Sequence, residues 1–337
     1  MIFGGFLLHA PRAHAQNGAA TVIKFATLAP EGSAWMKAMA GFNEELREKT
    51  GGKVRFKFYP GGVSGDEKDV VRKIRLGQLQ AAGLTGVGLG EIAPELRILD
   101  APFLFRDETE ADAALKAYGG ELSAILESRG LALLGWTEVG FVYLFTNTPV
   151  RAPADLRDVK MWVWEGDPIA QAAFSAFGVH PIPLSITDVM TSLQTGLING
   201  VYSSPMAAIA LQWFTKTKHV SSVALAYAAG AVVVSKKTTE KLSAQERKIL
   251  MELGRRHMAR LTELGRRENR QALATLRKEG LTQTEPPTAE ELKAYEAIGA
   301  KARRSLAGRL YSEKLLDRVE RFLAQSRQKA SGGKKQK

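Results

Sequence analysis

Five histidines, His9, His14, His180, His219 and His257, are the side chains best suited to proton transfer or metal ligation, and their spacing supports neither. None belongs to an H-E-x-x-H pair or any other metal-ligand pattern. His9 and His14 fall in a leader-like stretch, and His180 precedes Pro181-Ile182-Pro183, where a loop or strand edge is expected. The chain has no cysteine, which removes a thiolate nucleophile, a thiolate metal site and any disulfide. No G-x-S-x-G elbow presents a serine. The pairs Glu44-Glu45 and Glu290-Glu291 lie on expected helix surfaces facing water. Gly86-Val87-Gly88-Leu89-Gly90 reads as a glycine-rich loop, but Glu91 takes the place of the third glycine of G-x-G-x-x-G and no G-K-[ST] follows. Neither an enzyme, a metal nor a cofactor is supported, and binding is what remains.

The aromatic residues are more informative. Trp35 opens the helix after the first strand, Trp136 ends a strand, Trp162 and Trp164 end another, and Tyr202 closes the next. Thr85 ends the short buried strand 81–85. In open α/β sheets ligands sit beyond the carboxyl ends of strands, so these positions are the candidates for a cleft with aromatic walls. Glu165 and Asp167 lie beside Trp162 and could face a positive ligand, although a turn or a helix N-cap is the plainer role for Asp167.

The elements that must hold these residues alternate between strand and helix. Residues 21–28 and 53–59 alternate as strands, a helix capped by Ser33 lies between them, and 67–77 is amphipathic. Residues 131–138 and 141–146 read as two strands with tight turns around them. The stretch 156–205 reads as a strand at 159–163, an apolar helix and a strand at 200–202, a βαβ unit that requires parallel strands. After Tyr227, one apolar strand at 231–235 precedes nearly unbroken helix from Thr239 to about Glu279. Helix resumes from Glu290 to Arg327 after Pro286-Pro287, and residues 328–337 are expected to be disordered. The expected class is α/β.

With 337 residues, 45% hydrophobic and 24% charged, the chain can build two domains. Its 47 basic against 35 acidic residues give +12, but the basic residues are scattered over helical faces and gathered in the tail, so no nucleic-acid partner is expected. Residues 1–15 read as a signal peptide, with an apolar run at 2–8 and Ala13-His14-Ala15 as a cleavage pattern; a basic n-region is missing, so the true start is expected further upstream. Export to the periplasm follows, and the absence of cysteine agrees with it.

Several separated motifs, KFATLAPEGSAW, FYPGG with GDEKDVVRKIRLGQLQ, TNTPVRAPADLRDVKMWV and LQTGLINGVYSSP, occur in an order that resembles the substrate-binding proteins of TRAP transporters, the DctP-like family. The resemblance runs from about Val22 to Glu285. It implies a two-lobed periplasmic binding protein with a ligand cleft between lobes, a long lobe-spanning helix placed near 207–219, and a helical C-terminal region. The lobes would be 21–142 with 231–270, and 143–230 with 271–327. Such a protein closes on a small-molecule ligand, delivers it to TRAP permease subunits in the membrane, and is expected to be a monomer.

The departures from the family pattern concern the site. Typical members read K-I-R-V, whose arginine pairs with a substrate carboxylate; here Lys160-Met161-Trp162-Val163 puts Trp162 in that place. Val142 stands where a second arginine is usual, Ser204 replaces a binding asparagine, and Ile186 replaces an aromatic residue. Burying a carboxylate without paired donors costs several kcal/mol, so the expected ligand is mainly apolar or lipid-like rather than a small dicarboxylate. This pattern resembles the TRAP branch that works with a tetratricopeptide-repeat partner. Two alternatives stay open: a cationic or zwitterionic ligand held against aromatic faces, and a periplasmic carrier or sensory module with a non-TRAP partner.

Overall fold

The computed structural model describes residues 20–333. The proposed leader 1–15 and the last residues of the tail, 334–337, lie outside them. In chain order the strands are β1 (Thr21–Ala26), β2 (Val54–Tyr59), β3 (Ala81–Thr85), β4 (Leu131–Thr146), β5 (Trp162–Trp164), β6 (Ile182–Leu184), β7 (Gly200–Ser203), β8 (His219–Ser235) and β9 (Thr282–Gln283). The helices are α1 (Ala34–Lys49), α2 (Glu67–Arg75), α3 (Gly86–Ile92), α4 (Glu108–Ser128), α5 (Pro168–Ala176), α6 (Val189–Thr195), α7 (Pro205–Ala210), α8 (Lys236–Thr239), α9 (Ala244–Lys278), α10 (Ala289–Leu306) and α11 (Glu313–Gly333). Short 3-10 turns, including Pro94–Asp100, connect them.

Local chemistry sets the main boundaries. The Ser33 hydroxyl accepts from the Met36 amide and starts α1. Ser243 and Glu246 form a reciprocal capping box at the start of α9, with N–H to oxygen distances of 2.9 and 3.2 Å. Asp66 caps α2 through the Glu67 amide at 2.6 Å.

The larger sheet runs β2-β1-β3-β8-β4-β7, with β9 pairing with β8, and the smaller one is β5-β6. β1 pairs in parallel with β2 and β3, whereas β3–β8, β8–β4 and β4–β7 are antiparallel, so the large sheet is mixed. The βαβ reading of 159–202 holds in its direction but not in its second strand. The parallel partner of β5 across α5 is β6, while β7 pairs with β4 and meets the β5 segment through a parallel bridge from Met161 to Gly200 and bonds from the Asn199 and Gly200 amides to the Lys160 carbonyl. At Gly200 a Cβ would come within 2.5 Å of both Met161 and Val159, so the approach that makes this bridge needs a glycine.

β4 and β8 are single long strands, where the sequence suggested two short strands and an apolar end piece. Their register shifts at Leu133/Gly135, Glu138/Gly140, Val142/Tyr143 and Tyr143/Phe145. Gly140, at φ 105°, takes up one of these bulges in backbone space that other residues rarely enter, and the tight turn expected there is this bulge. The segment 86–90, expected as a loop, is the first turn and a half of α3, capped by Thr85. The long helix is α9, with 35 residues, and not 207–219, which breaks into α7 and a 3-10 turn at Trp213–Lys216 around the left-handed Gln212. The tail expected to be disordered from 328 continues α11 through Gly333.

Four groups of buried apolar residues hold these layers. One face of the β1–β3 end of the sheet packs on α2, α3, α4 and α11 (Val70, Leu89, Leu122, Leu316), and the other on α1 and the first half of α9 (Met39, Phe42, Leu253, Met258). At the far end, Val163, Phe174 and Tyr295 pack with α5 and α10, while Trp162, Val189, Trp213 and Leu276 pack with α6, α7 and the second half of α9. α9 thus spans both ends, stitched to apolar cores through Leu250 at one and Leu276 at the other. Two lobes result, joined by β4, β8 and α9. The sequence division placed 313–327 in the second lobe; in the fold Leu315, Leu316, Val319 and Leu323 are buried with Leu122 and Leu126 of α4.

Candidate functional site

Between the two ends lies a cavity of about 260 Å³. One wall is aromatic. Trp162, 1% exposed, stacks on Tyr202 with centroids 4.9 Å apart, meets Trp213 edge-on at 5.2 Å, and lies 6.1 Å from Trp164. The Trp162 indole N–H donates to the Leu184 carbonyl at 3.0 Å, and the Tyr202 oxygen accepts from the Trp164 amide at 3.2 Å. With these polar atoms spent on the protein, the rings offer apolar faces and edges. Burial pushes the Tyr202 phenol well above its ordinary range, with Asp167 adding to the shift, so it stays neutral. Leu28, Trp35, Val87, Phe103, Val142, Phe174, Phe177, Ile186 and Leu225 complete a mostly apolar lining.

Eight of the ten candidates border this cavity: Trp162, Val142, Ser204, Tyr202, Ile186, Trp35, Thr85 and Trp164. Trp136 and Glu165 do not. The register shift at Leu133/Gly135 turns Trp136 to the same face as Leu133, packed against the core beside α4, while its neighbours Thr137, Glu138 and Val139 take the cavity side. Glu165 points outward, its side chain 56% exposed, and pairs with Lys68 at 2.8 Å. Ser204 is fully buried, and its hydroxyl accepts from the Ala207 amide at 3.3 Å to cap α7. The hydroxyl that stands in for an amide is therefore already engaged.

The charged groups of the wall are the ones sequence reasoning missed. Arg97, 4% exposed, donates through Nε to Asp100 at 2.9 Å and through Nη2 to Asp167 at 2.8 Å. Burial alone would lower the guanidinium pKa, but Asp167 and Asp100 outweigh it and raise it further, so Arg97 is charged. Asp100 also accepts from the Ala229 amide at 2.8 Å, and Asp167 from the Ile169 amide at 3.0 Å. Asp167 is thus an N-cap, as the plainer reading held, but a buried one. Gly86 makes room for the group, since a Cβ there would fall 1.6 Å from an Asp100 oxygen. A basic residue three positions before an acidic one within the apolar run 96–105 was the available signal.

Glu67, 2% exposed, also borders the cavity and accepts from the Thr85 amide and hydroxyl, both at 2.8 Å, and from the Gly88 amide at 2.7 Å. Thr85 is therefore a support for Glu67 as well as the cap of α3. Burial raises the Glu67 pKa to about 7 despite these three donors. On the far side, Glu138 accepts from the Tyr227 hydroxyl at 2.8 Å and from Arg266, whose pKa Asp112 and Glu138 raise. Among the described residues no group of three or more His, Asp or Glu side chains is placed to hold a metal ion.

Outside the cavity, His180 is exposed, and His257 bonds Glu45 at 2.8 Å while stacking on Phe42. Glu45 also pairs with Arg256, so it does not simply face water as expected. Glu291 caps α10 and meets Arg151 at 3.1 Å.

Strand ends, a bridging pair of long strands and one cavity between two lobes define a solute-binding protein of the periplasmic type. The DctP family model, described as bacterial extracellular solute-binding protein, family 7, matches residues 25–307. The chain belongs to this family, and is a periplasmic TRAP-type solute-binding receptor. It is 28% identical over 251 residues to a solute-binding protein of Verminephrobacter eiseniae, covering 73% of each chain. It is 26% identical over 298 residues to the C4-dicarboxylate-binding periplasmic protein DctP of Rhodobacter capsulatus, covering 87% of this chain and 88% of that one. The fold matches the sugar acid binding protein DctPAm of Advenella mimigardefordensis, solved in complex with galactonate, with a TM-score of 0.85 and 21% identity over 91% of this chain and 99% of that one.

Proposed function

We propose that this receptor captures a mainly apolar, lipid-like ligand and hands it to the membrane subunits of a TRAP transporter. The observation that supports this most is the pairing of Arg97. Among the described residues that border the cavity it is the single cation, and its Nε and Nη2 are taken by Asp100 and Asp167. A ligand carboxylate entering here would meet Glu67 and a guanidinium already paired with two aspartates. Apolar groups would meet Trp162, Tyr202, Trp213 and Val142, where a fully buried side chain or its equivalent contributes roughly 1.5–3 kcal/mol.

The groups that were to face a cationic head do not favour one, since Glu165 lies outside with Lys68 and Asp167 is spent on Arg97. Family membership favours the TRAP partner over a carrier or sensory role. Export by the leader 1–15, a tetratricopeptide-repeat partner and a monomeric state belong to the same proposal; the missing carboxylate-binding arginine at Trp162 supports the second.

The test is a direct comparison of ligand classes. Titration calorimetry with galactonate and succinate should give no heat, whereas the neutral fluorescent probe N-phenyl-1-naphthylamine should bind. Trp162→Arg should weaken the probe about tenfold or more, the equivalent of about 1.4 kcal/mol. Tight succinate or galactonate binding by the wild type, or probe binding unchanged in a folded W162R, would contradict the reading.

A further inference from the structure

Beside the cavity, one buried carboxylate joins the two lobes without itself bordering it. Asp66, 4% exposed, stands at the start of α2 in the first lobe, where it caps the helix through the Glu67 amide. Its two oxygens also receive three donors from the β5-β6 unit, about a hundred residues away in sequence. The Trp164 indole N–H reaches both oxygens at 2.9 Å, the Ser185 hydroxyl donates at 2.7 Å, and the Ile186 amide at 3.3 Å. Trp164 and Ile186 are cavity-wall residues, and Glu67, next to Asp66, is a third.

A carboxylate has about four acceptor positions, and Asp66 fills them with donors from both lobes. Hydrogen bonds to a charged acceptor are about twice as strong as neutral ones, and burial shields them from water. Opening the cleft would strip Trp164, Ser185 and Ile186 from Asp66 together. The neighbouring Lys68–Glu165 pair crosses the same gap, but at 43% and 56% side-chain exposure it is screened and contributes little.

We propose that Asp66 is the positioning residue that latches the closed cleft and fixes the Trp164 ring as part of the ligand wall. It acts through Trp164 and Ile186 rather than by touching ligand. The proposal rests on the cavity being the ligand site, though not on the ligand being apolar. An apolar ligand gives the lobes few polar bridges of its own, which leaves the latch to the protein.

The chain has no cysteine, so Leu76→Cys and Leu197→Cys, at leucines 67% and 50% exposed near the ends of α2 and α6, provide two unique spin-label sites. Pulsed electron-resonance distances between them report closure in protein as purified and with N-phenyl-1-naphthylamine added. Asp66→Ala should lower the ratio of short to long distances about tenfold and speed probe release by a similar factor, leaving the association rate nearly unchanged, since interface changes act mainly on dissociation. Because D66A also removes a helix cap, Ser185→Ala supplies a second variant that leaves α2 intact; it should shift the ratio in the same direction by about threefold, the lower end of the range for loss of one hydrogen bond. Trp164→Phe and D66A combined should lower the ratio no further than D66A alone. A distribution unchanged in both D66A and S185A, or effects of D66A and W164F that simply add, overturns the latch. A wild type that ignores the probe while the variants still shift the distances would defeat the apolar-ligand reading and keep the latch.

Discussion

Trp162 is the residue on which the proposed apolar preference turns. As a sequence residue it was noticed for its type and place; in the fold it is the centre of a ring cluster with Tyr202, Trp213 and Trp164. Glu67, the other residue that sets the character of the wall, had no sequence signal because its partners, Thr85 and Gly88, lie 18 and 21 positions away. Its raised pKa has a stability consequence with a definite sign. Below about 4.5 it is protonated in both folded and unfolded chains and contributes nothing to pH dependence. Between about 4.5 and about 7 the unfolded chain gives up its proton first, so stability falls as pH rises and levels off above that window. The fall should amount to about 3 kcal/mol. Urea unfolding at pH 5 and pH 8 should show this drop in the wild type and a smaller one by that amount in Glu67→Gln; equal drops in both would show that burial does not perturb Glu67.

Among the elements, those with a clean periodicity were legible: β1, β2, α1 and α9 follow alternation or helical spacing within a few residues of their bounds. What failed was pairing and continuity. β4 was split because Gly140 looks like a turn, and nothing local shows that a bulge carries the strand on. The same shifts in β4 put Trp136 behind the wall, since one extra residue reverses which face a side chain takes. Lobe boundaries depend on which core a helix joins, and we propose that α11 belongs with the 21–128 lobe on the strength of its packing against α4. The Arg97 triad ties three elements, the 94–100 turn, β8 through Ala229, and α5 through its cap. Arg97→Met would leave two buried carboxylates unpaired and should cost about 3–5 kcal/mol of stability. A urea-midpoint change equivalent to less than about 1 kcal/mol, the size of an exposed pair, would mean that water reaches the triad.

At the scale of the whole molecule, two lobes meet around one cavity, with β4, β8 and α9 running through both. The α/β class and the family were legible because the motifs that resemble it are local and ordered. The contacts between the lobes were not, because Asp66 and Trp164, or Arg97 and Asp167, are brought together by topology alone. The same topology places a guanidinium at the cavity and pairs it with two aspartates, which supports the proposed ligand class. The most direct measurement is to purify the full chain without added ligand, extract it with organic solvent, and identify what is released by mass spectrometry. The account predicts a mainly apolar, lipid-like compound, released from the wild type and depleted from W162R. Recovery of a sugar acid or a C4 dicarboxylate at one per chain, retained by W162R, would contradict it.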